Sequence, residues 1–323
     1  MLETETVLDR RRLRRSVSLW RGLGVAGLAL AVSALAFGSD KFATLTGEKQ
    51  IARVAIEGTI TESRDQLKML KEIEEADHVA GVLLFVNSPG GTTSGGEALF
   101  EALREIAKKK PVVAQFGTVA ASAGYIVGLA TDHIVARGNT ITGSVGVIVQ
   151  WPEFAQLMDK IGIKVNEVKS GPLKASPSPF EPLNEGGRKV AEGMVNDGFK
   201  WFLDLVESRR GIKAADIPGL LEGRIFSGRE ALDAKLIDQI GGEKEAVTWL
   251  KDVKNVAKDA KVIDWKPEST GGYGYGFTGR IAGFTESLFG SGAGKLAGFL
   301  LGDHGTNALA LDGLISVWHP SEK

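Results

Sequence analysis

The 323-residue sequence contains no cysteine and only four histidines, His78, His133, His304 and His319. The first absence excludes thiol nucleophiles, disulfides and sulfur-ligated metal. Charge of one sign is missing too: 39 basic residues stand against 40 acidic ones, a formal net charge of −1. That balance argues against a chain built as a whole to bind polyanions, so no nucleic-acid partner is expected. Glycine, by contrast, is abundant at 42 residues, as turn-rich α/β proteins and glycine-rich tails both require.

Long apolar runs are almost absent, with one exception near the N-terminus. Arg10, Arg11, Arg12, Arg14, Arg15 and Arg21 precede an uncharged stretch from Gly22 to Phe37. Sixteen residues at ~1.5 Å each give ~24 Å, short of a ~30 Å hydrocarbon core. Leu19 and Trp20 lengthen the run if Arg21 snorkels to the interface. The pattern predicts a basic cytoplasmic segment over 1–21 and a transmembrane signal anchor over 22–37. All that follows then lies on the periplasmic, extracytoplasmic side of the inner membrane. Ala34-Leu35-Ala36 also fits an A-x-A cleavage site, which leaves a removed signal peptide as the alternative.

Residues 38–49 read as a polar linker. From Ile51 short apolar strands alternate with amphipathic helices: IARVAIEG, a helix over 64–76, VAGVLLFVN, a helix over 94–108, and PVVAQF. DHIVAR, SVGVIVQ, a helix over 152–161 and the strand KVNEVK follow. A long helix over 186–210, GRIFS with a helix capped by Ser227, and a helix over 244–257 complete the series. This alternation predicts one α/β domain over 50–258 with a largely buried sheet. Residues 259–323, rich in glycine and phenylalanine, read as a loosely attached tail facing membrane or a partner.

The chemistry centres on Ala121-Ser122-Ala123-Gly124, where a strand gives way to a helix. Small neighbours let a substrate carbonyl approach Ser122, and helix N-terminal amides face any negative charge that develops. The plain alternative is a tight helix–sheet contact. Upstream, Asn87-Ser88-Pro89-Gly90-Gly91 reads as a turn whose paired glycines aim amides into a cleft. Downstream, Lys169-Ser170-Gly171-Pro172-Leu173-Lys174 places two lysines around another turn.

Taken in order, NSPGG with GGEAL, AASAGY, TGSVGV, KSGPLK and GRIFSGREALDAKLID make the stretch from Ile51 to Trp249 resemble the bacterial signal peptide peptidase A family. The resemblance implies a Ser–Lys serine endopeptidase on a Clp protease/crotonase-like spiral of β-β-α units. Carried over, Ser122 is the nucleophile, Lys174 the general base, and Ser144 the hydroxyl that orients the lysine. Gly91 and Ala123 supply the oxyanion-hole amides, with Gly90 shaping the turn. Ala123 stands where glycine is usual and Ile126 where an aromatic is frequent. The family further implies one catalytic domain in this short form, and a ring-like homo-oligomer that completes the serine of one subunit with a neighbour's lysine. Its substrates would be signal peptide remnants and other unfolded apolar peptides, handled beside membrane lipid. No metal or organic cofactor is implied.

Residue chemistry agrees with that assignment. His78 and His133 sit at strand starts, and the other two histidines lie in the tail. A lysine base must be neutral near working pH, a shift of roughly 2–3 units from ~10.4. Desolvation with a hydroxyl partner moves it that way. Two other classes stay open: a crotonase-like acyl-CoA enzyme, which would use acidic catalytic residues, and a catalytically silent membrane scaffold.

Overall fold

The computed structural model describes residue 20, residues 48–267 and the backbone of residues 315–317. The expected anchor over 22–37 and most of the tail lie outside the described residues. Among the described residues, no helix is long and apolar enough to cross a membrane.

The sheet is built from runs whose alternate residues face opposite ways. In β1 (Gln50–Ile60), β2 (Val79–Thr92) and β3 (Val112–Ala121), one face carries Ala52, Val54, Ile56, Val82, Leu84, Val86, Val112, Ala114 and Phe116. The other face carries Ile51, Leu83 and Val113. Both faces are buried, which is why these strands read as continuous apolar runs.

The strands order as β6-β5-β3-β2-β1-β8, parallel from β5 through β3, β2 and β1 to β8 (Lys261–Trp265). The first half of β3 pairs with β4 (His133–Ala136) and the second half with β5 (Ile141–Gly143). β5 pairs antiparallel with β6 (Ile225–Ser227), and β4 pairs with β7 (Gln239–Ile240). A short ninth strand, β9 (Ile315–Val317), lies antiparallel to the end of β2.

Helices cover each face. α1 (Arg64–Glu75) is capped by Ser63, which accepts from the Gln66 amide, and buries Met69, Leu70 and Ile73. Its last carbonyls are closed by Lys110 Nζ, which donates to Ile73 O at 2.6 Å and Ala76 O at 2.5 Å. α2 (Thr93–Lys109) buries Leu99, Leu103 and Ile106 at helical spacing. α3 (Ala123–Leu129) is buried throughout. α4 (Ala155–Lys160) follows, then α5 (Glu185–Arg210), which buries Phe202 and Val206. α6 (Gly228–Asp233) opens with a capping box between Ser227 and Glu230. α7 (Glu243–Thr248) and the wide turn Trp249–Val253 bring Ala246 and Leu250 onto the second face.

Several expectations need correction. NSPGG is not a turn, because β2 continues through it to Thr92 alongside β1 (Thr59↔Gly90, Ile60↔Gly91). A register shift between Glu57 and Thr59, with Gly58 at φ 71°, accommodates the extra residues. KVNEVK forms no strand: Val165 and Val168 are exposed, so that alternation has no core beneath it. In place of SVGVIVQ the strand is Ile141–Gly143, and the helix expected over 244–257 ends as an α-helix at Thr248. The folded domain also reaches past residue 258, since β8 pairs in register with β1 and Trp265 stacks on His78.

Candidate active site

The site begins with the reason α3 is made of small residues. A Cβ on Gly124 would stand 2.8 Å from Ser88 O, and one on Gly128 would stand 2.4 Å from Phe116 Cζ. These two glycines, four apart and so on one face, let α3 lie directly on β2 and β3. The tight helix–sheet contact is therefore real, and it is also what fixes Ser122. Tyr125 locks the helix further: its ring meets Phe116 edge-on and its hydroxyl donates to Leu236 O at 2.7 Å. Burial pushes the Tyr125 phenol well above its usual value, so it stays a donor.

Ser122 occupies the junction of β3 and α3 with φ 57° and ψ −120°, a backbone region that favours glycine. It is 1 % exposed, and its hydroxyl is not spent on capping α3. A serine held in a strained turn at a strand end, where glycine would fold more easily, is the geometry expected of a nucleophile. The Ser122 amide donates to Gly143 O at 2.9 Å, continuing the β3–β5 register Ala121↔Gly143. Ser144 is thereby set across from Ser122, itself at φ 52° with its amide bonded to Arg224 O.

Ser122 and Ser144 line one cleft of about 320 Å³, walled by Val145, Val147, Val195, Phe199 and Leu221, with Glu222 also on its lining. Val195 and Phe199 come from α5, and their helical spacing was visible in the sequence. Leu221 and Glu222 precede β6 and carried no signal.

Gly90 and Gly91 end β2 beside this junction, since Ser88 pairs with Ala120 two residues before Ser122. Gly90 has φ 124°, and Ser88 Oγ both accepts from Gly90 N and donates to Gly90 O. Gly91 tolerates no side chain, because a Cβ would fall 1.8 Å from Ile60 O. Ala123 is the first residue of α3, so its N–H has no partner within the helix.

Lys174 stands apart. It is exposed, does not line the cleft, and its ammonium makes no hydrogen bond or ion pair among the described residues. Lys169, the other lysine of the turn, is held by Glu167 at 2.6 Å and by Glu181. Both carboxylates push the Lys169 ammonium above its usual value, the wrong direction for a base. Nor do the two described histidines, His78 and His133, lie beside Ser122. His78 precedes β2, and His133 pairs with Val113 near the start of β3. At ~3.3 Å per residue, that start is roughly 30 Å from Ser122.

A model of peptidase family S49 matches residues 104–257, and a Clp protease model matches residues 40–141. The chain is 34% identical over 262 residues to a putative signal peptide peptidase SppA of Enterococcus faecium, covering 74% of this chain and 75% of that one. A protein called a putative protease in Methanocaldococcus jannaschii is 34% identical, covering 74% of each. Protease 4 of Haemophilus influenzae is 31% identical over 68% of this chain and 37% of its own.

Proposed function

Since this chain belongs to peptidase family S49 and is a serine protease, we propose that it is a membrane-anchored endopeptidase for short apolar peptides, working through Ser122 and Lys174. The observation that carries this reading is the strained, buried Ser122 sharing one cleft with Ser144.

In the proposed reaction a peptide carbonyl enters beside Ser122 and Oγ attacks it, giving its proton to a neutral lysine amine. The amides of Gly91 and Ala123 face the oxygen that becomes negative, with Gly90 setting the approach. The protonated lysine then returns its proton to the leaving amine, and water releases the acyl group by the reverse sequence. The Ser144 hydroxyl orients the lysine without adding a charge that would favour its protonated form.

The lysine is the part that one chain does not complete. Ser122 is buried and Lys174 exposed, on a segment whose side chains lack a core. Ile148, Phe154, Leu157, Ile161, Ile163, Val165, Val168, Leu173 and Phe180 are all exposed within 33 residues, 148–180. Such a concentration of apolar surface calls for a covering partner. We infer that a second copy covers it in a ring-like homo-oligomer, on a Clp protease-like spiral of β-β-α units. The covering subunit would present its Lys174 to this Ser122 and strip water from it. Burial at that junction would lower the ammonium toward neutrality.

For location, the sequence of Gly22–Phe37 and its preceding arginines support an anchor with the domain on the extracytoplasmic side. The cleft walls of valine, phenylalanine and leucine suit the apolar cores of signal peptide remnants. Labelling with a fluorophosphonate tests the reading: it should modify Ser122 alone, and Ser122→Ala should abolish both labelling and cleavage of an apolar peptide. Cleavage that persists in Ser122→Ala would refute it.

A further inference from the structure

Among the described residues, Glu222 is the one charged side chain on the lining of the cleft that holds Ser122 and Ser144. The loop that carries it is tied to the site, because Ser144 N donates to Arg224 O at 2.9 Å, two residues beyond Glu222. The loop is also well braced. Leu220 is fully buried, Gly223 N donates to Leu220 O at 3.2 Å, and Arg224 N donates to Gly219 O at 2.9 Å. Gly219 at φ 82° and Gly223 at φ 74° supply left-handed bends that few other residues adopt. Leu221 and Glu222 between them are exposed. Arg224, the cation nearest to Glu222 in sequence, is engaged elsewhere. It pairs with Glu230, and its guanidinium lies 4.7 Å from the centre of the Phe226 ring. The Glu222 carboxylate makes no hydrogen bond or ion pair among the described residues.

We propose that Glu222 is a specificity residue: it favours peptides with a lysine or arginine close to the apolar residue seated in the cleft, and disfavours those with an acid there. The proposal rests on the protease reading and deepens it, naming the substrate class as cationic–apolar peptides. Apolar walls alone accept any apolar side chain and say nothing about its neighbours. A carboxylate that no fixed cation answers attracts a mobile one and repels a second carboxylate. Specificity therefore comes from both signs, the attraction to one peptide and the repulsion of the other. Signal peptides fit this demand, since their positively charged segment directly adjoins the apolar one. The other cation that could meet Glu222 is the Lys174 of a second copy. There the carboxylate would hold the ammonium protonated, against the need of a general base.

The test uses the full chain and dye-labelled synthetic peptides that share one leucine- and alanine-rich sequence. A single position beside the leucines is lysine, glutamine or glutamate. Binding is measured in the Ser122→Ala background, where the peptides cannot be cut. The protein with Glu222 should bind the lysine peptide about fivefold tighter than the glutamate peptide at low salt, as an exposed pair is worth under a factor of ten. High salt should shrink that ratio. Glu222→Gln should bring it close to one, and Glu222→Lys should invert it. In the active background kcat/KM should follow the same order. A ratio that is the same in all three proteins would overturn the proposal. So would a Glu222→Gln pH profile for the glutamine peptide displaced to lower pH, because the carboxylate would then act on Lys174 and not on the substrate. If no variant hydrolyses any peptide, the protease mechanism falls, while the binding ratios still decide whether Glu222 selects.

Discussion

The amide of Ser122 donates to the carbonyl of Gly143 at 2.9 Å, and that bond ties the reactive turn to the strand leading into Ser144. Two positive-φ serines, 22 positions apart in sequence, are thus placed at the ends of adjacent strands by the last pairing of a parallel ladder. The backbone does this before any side chain takes part.

Strain at Ser122 gives the first prediction. Ser122→Ala should lose activity by about 10⁴-fold or more while keeping the fold. Ser122→Gly should be equally inactive but more stable than Ser122→Ala by about 1 kcal/mol, because glycine accepts φ 57° without cost. Denaturant melts of the two variants check this, and equal midpoints would show that the turn stores no strain.

The two lysines of KSGPLK should separate cleanly. Lys174→Ala and Lys174→Arg should both be inactive, since a guanidinium does not give up its proton. Lys169→Ala should keep most activity, because its carboxylate partners already hold Lys169 protonated. In the parent enzyme kcat/KM should rise about tenfold per pH unit below the base's pKa and level off in the alkaline range. A rate limb near pH ~6.5 that follows His78 or His133 would point to an imidazole instead.

How much of this was legible in the sequence varies with the kind of signal. The buried strands and the helices over 64–75, 93–109 and 185–210 announced themselves, because apolar spacing reports a two-sided sheet and amphipathic faces. Ser122 was visible through its small neighbours, which the contacts of Gly124 and Gly128 explain. NSPGG was misread as a turn because glycine and proline punctuate most strands. Here β1 runs alongside them and needs Gly91 to be bare. KVNEVK departs from its expected strand because alternation predicts a strand only where a core lies on one side, and Val165 and Val168 have none among the described residues. The cleft lining from Leu221 and Glu222 was invisible, being a matter of tertiary placement in a loop.

Gly91 supports a stability prediction. In Gly91→Ala the new methyl would meet backbone at Ile60, which has no rotamer to yield, so β1 and β2 must part. A loss of about 3 kcal/mol or more is expected, together with loss of activity. Gly171→Ala, where a Cβ meets nothing within 4 Å, should lie within about 0.5 kcal/mol of the parent. Chemical denaturation of both variants would contradict this assignment if Gly91→Ala proved as stable as Gly171→Ala.

His78 should govern acid stability but not catalysis. Its burial beside Trp265, aided by the charges of Lys110 and Lys49, pushes the imidazole below its ordinary value of 6.5. The unfolded chain therefore takes up the proton first as pH falls, so the native state loses stability through and below pH 6.5. Above that value both states are neutral and the contribution is intact. Melting temperatures from pH 8 to 5 should fall less steeply in His78→Gln than in the parent, with kcat unchanged. Parallel curves would contradict the assignment.

The central claim is that one subunit's Ser122 is served by another subunit's Lys174, and mixing two dead proteins tests it most directly. Ser122→Ala and Lys174→Ala are each prepared inactive, dissociated, combined and reassembled, and the presence of both in one oligomer is verified by differential tags. If sites are shared, some junctions join an intact serine to an intact lysine, and peptidase activity should return to roughly a quarter of the parent level for an equal, random mixture. No recovery from verified mixed oligomers, or full activity in an isolated parent monomer, would place both residues in one chain and contradict the account.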